Sequence, residues 1–178
     1  MPSPRSEQKV LDWLLEADNP SVRFFALRDL IGLDPASPEI QQARQAIMQA
    51  GPVPAILDKQ NPDGSWDLAE KFYTSKYQGT VWILLILAEL AADPADERVQ
   101  RACEFILSHS QDPDSGGFSY QMSARTGEGL PSGVIPCLTG NMVYSLIRLG
   151  YLEDPRVQKA LSWIIARQRT DDGETSPP

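Results

Sequence analysis

The chain is poor in cysteine, in histidine, in basic charge and in long apolar runs. Its two cysteines, Cys103 and Cys137, stand 34 positions apart and are too few for a disulfide scaffold. The amino terminus, MPSPRSEQKV, carries no apolar signal region, so a reducing cytoplasm is the expected compartment. The longest uninterrupted apolar run, Val81 to Ala88, has eight residues. A bilayer needs roughly 20, so no transmembrane helix is expected. Against 24 acidic residues there are only 16 Lys and Arg, for a net charge of −8. A polyanion would meet mostly repulsion, and nucleic acid and anionic membrane surfaces are not expected as partners.

What is present is a core. A chain of 178 residues with 42% hydrophobic content is the size of one ordinary domain, and a single globular unit spanning 1–178 is expected. Its 15 prolines and 12 glycines divide it into many short elements. Several helix starts pair a short polar residue with proline: Asn19-Pro20, Ser37-Pro38, Asp93-Pro94 and Asp154-Pro155. The polar side chain accepts from orphan backbone donors, and proline in the first turn needs no donor. Apolar periodicity between these stops predicts an all-α fold, with helices near 6–17, 20–31, 38–49, 52–59, 78–91, 96–110, 139–150 and 155–168. Val157, Ala160, Leu161, Ile164 and Ile165 form a one-sided stripe, and Val99, Ala102, Cys103 and Ile106 repeat it. Thr80 to Ala91 is apolar nearly all round, with Glu89 its only charge, which predicts a helix surrounded by other helices.

Internal repetition is the strongest signal. Asp96-Glu-Arg-Val-Gln-Arg-Ala102 aligns with Asp154-Pro-Arg-Val-Gln-Lys-Ala160 at an offset of 58, and Ile40-Gln-Gln-Ala43 with Val99-Gln-Arg-Ala102 at an offset of 59. Each copy ends in a related loop: Gln60-Asn-Pro-Asp-Gly-Ser-Trp66, Gln111-Asp-Pro-Asp-Ser-Gly-Gly-Phe118 and Gln168-Arg-Thr-Asp-Asp-Gly173. Two helices per repeat cannot bury their own inner face, so about three hairpins should stack to close a core. In this reading Gln60, Gly64, Trp66, Gln111, Gly117, Phe118, Trp163, Gln168 and Gly173 are structural. The glutamines bond backbone at helix ends, the glycines permit turns and the aromatics pack.

Lys159-Ala160, Trp163-Ile164, Gln168 and Gly173 resemble the QW repeat of squalene and hopene cyclases. The copy over 54–66 keeps Gln60, Gly64 and Trp66 without the upstream aromatic. The copy over 101–118 has Arg101-Ala102, Phe105-Ile106, one extra residue before Gln111, and Phe118 for Trp. The last copy has Glu174-Thr175 where an aromatic would stand. The resemblance extends to protein prenyltransferase subunits and implies a partial α/α toroid, about half of a six-hairpin ring, whose inner helices line a cavity. It implies a domain that binds an apolar or isoprenoid small molecule or a protein partner, with an isoprenoid-processing enzyme, or a fragment of one, and a ligand-free oligomerisation module as alternatives.

The chemistry of that family is not matched by motif. A class II cyclase needs an acid in an Asp-X-Asp-Asp element, and neither Asp93-Pro-Ala-Asp96 nor Asp171-Asp172 supplies one. No Asp-rich magnesium motif is visible. The zinc pattern of the prenyltransferases is not matched either, since His109 is the only histidine and no Asp stands two positions before Cys137. No cofactor, metal or catalytic residue is assigned. His109 is expected to meet the last carbonyls of its helix, and Cys103 to be a small buried thiol.

The 26 residues from Gln111 to Pro136 form a long, glycine-containing loop that opens into an inner helix. The candidate ligand contacts are therefore Tyr77, Trp82, Phe118, Tyr120, Cys137, Asn141 and Tyr144, with Tyr73 as a further aromatic wall. Ordinary packing between helices is the competing account of these aromatics. An incomplete ring exposes apolar inner surface, and a homo-oligomer that covers it is expected.

Overall fold

A computed structural model describes residues 4–167, and what it describes is helical, with three isolated bridges and no longer strand. Gln168 and Gly173 lie outside the described residues. The helices are α1 (Pro4–Leu14), α2 (Pro20–Phe25, continued by a π turn over Ala26–Leu30), α3 (Pro38–Ile47), α4 (Pro52–Leu57), α5 (Thr80–Glu89), α6 (Glu97–His109), α7 (Pro136–Arg148) and α8 (Pro155–Arg167). Each matches one expected from periodicity, although α7 begins three residues early because Pro136 fits its first turn. Among the described residues no helix is long and apolar enough to cross a membrane.

Side-chain caps open three of the helices. Ser37 Oγ accepts from the Ile40 amide at 3.4 Å, Asp96 Oδ1 from Arg98 at 2.8 Å, and Asp154 Oδ1 from Arg156 at 2.8 Å. Two expected caps differ. Asn19 makes no side-chain cap, so proline alone opens α2. Asp93 instead turns the chain before α6, accepting from the Ala95 amide at 3.0 Å, and the capping role passes to Asp96.

Three helical hairpins follow: α2 with its π turn against α3, α5 against α6, and α7 against α8, with α5 also packed on α7. The first helix of each hairpin ends alike. Gly32, Ala91 and Gly150 take positive φ of 72°, 57° and 90°, and the amide after each bonds back to Leu27, Leu87 or Leu146. Such a left-handed residue satisfies the last carbonyls of a helix. The first of these bonds spans one residue more because the π turn adds one, with Ile31 N–H reaching Ala26 O at 3.0 Å. The core joins Ile47, Leu57, Leu84, Leu87, Val99, Ile106, Leu138, Met142, Leu146 and Val157 from all three hairpins.

One expectation is corrected. Helix α5 is not enclosed: Val81, Leu84, Leu87 and Ala88 are buried, but Trp82 is half-buried and Ile86 and Glu89 are exposed. These i, i+4, i+7 positions share one face of the helix, and no described element fully covers it.

Candidate functional site

The recognisable glutamines form the seam between hairpins. Gln60 Nε2 donates to Gly64 O at 3.1 Å in its own loop and to Arg98 O at 2.8 Å in the first turn of α6. Gln111 Nε2 donates to Gly116 O and to Arg156 O in the first turn of α8, both at 2.8 Å. Arg98 and Arg156 are 58 positions apart, so one side chain performs one connection twice. Glycine is required beside each glutamine. A Cβ on Gly64 (φ 91°) would stand 2.4 Å from Arg101 O, and one on Gly116 (φ 84°) 2.6 Å from Lys159 Cγ. The left-handed turn in the second copy thus belongs to Gly116. Gly117 instead admits the Val134 side chain, which a Cβ there would strike first, and Trp163, whose ring it would meet at 3.0 Å.

Thr80 and Thr139 complete the seam and carry no motif in the sequence. Thr80 is fully buried at the start of α5 and Thr139 in the first turns of α7. Thr80 Oγ1 accepts from the Trp66 amide at 3.1 Å, and Thr139 Oγ1 from the Phe118 amide at 2.9 Å. Their separations from the aromatic, 14 and 21 residues, differ, which hides the correspondence in an alignment. Trp66 donates its Nε1 to Ile56 O at 2.9 Å.

Charge reinforces the same starts. The Arg98 guanidinium bonded to Asp96, and that of Arg156 bonded to Asp154, hold these carboxyls below the ordinary aspartate value, opposed by partial burial. Arg156 also binds Glu104 of α6 at 2.8 and 3.0 Å, tying the start of α8 to α6.

The candidate ligand contacts divide into three groups. Tyr77, Trp82 and Tyr120 come together through Tyr73: ring centroids are 5.6 Å apart for Tyr77–Trp82, 5.6 Å for Tyr73–Trp82 and 5.9 Å for Tyr73–Tyr120. Trp82 Nε1 donates to Tyr73 O at 2.8 Å, which fixes the indole. Tyr77 is 72% exposed and held at φ 63°, a conformation that costs a non-glycine residue of order 1 kcal/mol. It also borders a groove of about 570 Å³ with Trp66, Ile56 and Ile83. Cys137, Asn141 and Tyr144 form the second group, exposed at i, i+4, i+7 along α7. Phe118 forms the third and is corrected: it is fully buried in the core, so no ligand reaches it and its role is packing.

The remaining groups are quiet. Cys103 is fully buried, and desolvation pushes its thiol up to about 12, which removes it as a nucleophile near neutral pH. His109 pairs its Nδ1 with Gly127 O at 2.7 Å, so it anchors the long loop and not its own helix end. That loop is ordered by pairing, with bridges Gln111–Phe118, Ser119–Val134 and Met122–Gly129. Among the described residues no three His, Cys, Asp or Glu side chains converge as metal ligands would. No family model matches this chain, and comparison with curated proteins finds no match.

Proposed function

We propose that the three hairpins form part of an α/α toroid, with α2, α5 and α7 as inner helices, and that its open inner mouth binds an apolar small molecule of isoprenoid-like chemistry. The observation that carries this reading is the run of rings Tyr77–Trp82–Tyr73–Tyr120, with an exposed tyrosine kept in an unfavourable backbone conformation beside a fixed indole. Packing alone gives no reason to hold a ring in water at that conformational cost. The recurrent glutamine bonds support the toroid component, because they link successive hairpins in one sense.

The test is titration with the neutral apolar fluorophore N-phenyl-1-naphthylamine, followed by displacement with farnesol. Binding should weaken about fivefold or more in Trp82→Ala and Tyr77→Ala, the scale of one lost aromatic contact. Absence of binding, or unchanged affinity in both variants, refutes the reading.

Self-association is a second reading, favoured by large apolar side chains left in water at the first and last described helices: Val10 and Trp13 on α1, 55% and 63% exposed, and Ile165 on α8, 77% exposed. Light scattering should give a dimer mass that persists on dilution, and a monomer throughout refutes it.

A further inference from the structure

At the far ends of the inner helices the fold gathers basic charge that the sequence scatters. Arg28, Arg44 and Arg148, separated by up to 120 positions, line one pocket of about 280 Å³ with Phe24, Pro94 and the small side chains Ala88, Ala91 and Ala92. No carboxylate is among the lining residues. In a chain of net charge −8, convergence of three guanidinium groups needs a physical reason, since they repel one another.

Two of the three are held in place. Arg28 lies over the Phe25 ring at 4.8 Å and the Phe24 ring at 5.3 Å, and pairs with Asp29 at 2.5 and 2.7 Å. Arg148 donates its Nε to Ala88 O at 3.1 Å and lies over Tyr144 at 5.4 Å and Phe25 at 5.9 Å. Arg148 also interacts with the Tyr144 side chain and, by charge, with Asp29, whereas Arg44 has no ion pair among the described residues. Glu89 lies beside Tyr144 and does not line the pocket. Asp29 beside Arg28 and Glu89 beside Tyr144 offset part of this charge, which leaves the Arg44 charge without an ion-pair partner among the described residues.

We propose that this pocket is an oxyanion site for a phosphate group. The guanidinium fork matches phosphate oxygens in pairs, and a phosphate anion supplies the partner that Arg44 lacks. Compensation of helix ends explains the Arg148 Nε bond, but not Arg44, which reaches the pocket from outer helix α3 without bonding a carbonyl among the described residues. The small floor follows from the same need. Ala91 sits at the left-handed position where the other hairpins have glycine and lines this pocket. The site does not depend on the aromatic mouth.

The experiment is calorimetric titration of the full chain with inorganic phosphate, pyrophosphate and decyl phosphate, for the unmodified protein and for Arg44→Gln, Arg44→Lys and the remote control Arg125→Gln. Phosphate binding should weaken about tenfold or more in Arg44→Gln, as expected for one lost charge-assisted contact, while Arg44→Lys retains most of it and Arg125→Gln all of it. Decyl phosphate binding more tightly than pyrophosphate, with that advantage lost in Trp82→Ala, supports the site and identifies an amphiphile's head group. Tighter pyrophosphate binding, indifferent to Trp82→Ala, supports it and identifies a free phosphate. No binding of any of the three refutes the proposal. Equal affinity in Arg44→Gln and the unmodified protein also refutes it, including where that variant only melts earlier, as a purely structural arginine would dictate.

Discussion

Replacing Gln111 by alanine removes both bonds from its Nε2, to Gly116 O and Arg156 O, at one seam between hairpins. The side chain is 6% exposed, so water does not freely replace the lost donor. Two neutral bonds contribute about 1 kcal/mol each net, and a carbonyl left buried and unpaired raises that, so a loss of about 3 kcal/mol is expected. For a chain of this size each kcal/mol lowers Tm by roughly 2–4 °C, which gives a drop of about 6–12 °C. Urea unfolding at constant m is the assay, because a changed m would signal altered cooperativity. Gln158→Ala is the internal control: it removes the same type of bond, Nε2 to Leu152 O, but on an exposed surface, and should cost less than about 0.5 kcal/mol. If Gln111→Ala and Gln158→Ala prove equally mild, the assignment of Gln111 to the seam is refuted. Gln111→Glu should be at least as damaging as alanine, since it points an anion at two carbonyl oxygens.

Two further outcomes follow from the same geometry. Asp154→Ala should cost about 1 kcal/mol at pH 7 through the lost cap. Because the folded carboxyl is depressed, its contribution is present above the unfolded value near 3.9 and disappears as pH falls through the folded value. The difference between variant and unmodified protein in urea midpoint should therefore shrink as pH falls below about 4, and a gap that stays constant down to pH 2 would count against it. Mass spectrometry after iodoacetamide should show one label on the folded protein, at exposed Cys137, and two in denaturant. Equal native labelling of Cys103 would contradict its burial.

Local patterns were legible in the sequence where the physics is local. Proline at first turns, Ser37 and Asp154 as caps, and the buried stripe through Val99, Ala102, Cys103 and Ile106 involve neighbours within a turn or two. The glutamine loops could be recognised as repeated and assigned a backbone-bonding role. Their second acceptors could not be named, because Arg98 O and Arg156 O are 38 and 45 residues away. Thr80 and Thr139 were missed because a buried threonine in an early helical turn has no signature apart from the amide that docks on it. Phe118 was proposed as a ligand contact because an aromatic in a glycine-rich loop looks available, yet the loop's own pairing carries it into the core.

Composition, charge and periodicity by themselves determined an all-α chain of short helices, with hairpin pairing and no membrane-crossing helix among the described residues. These follow from hydrophobic period, helix-end chemistry and run length, all of which act over a few residues. Only the tertiary structure decided which face stays open, where the rings meet, and that Arg28, Arg44 and Arg148 share one pocket. Those outcomes depend on how far successive hairpins rotate about one another. That rotation is set by packing volumes summed across the core, with no residue pattern of its own to read.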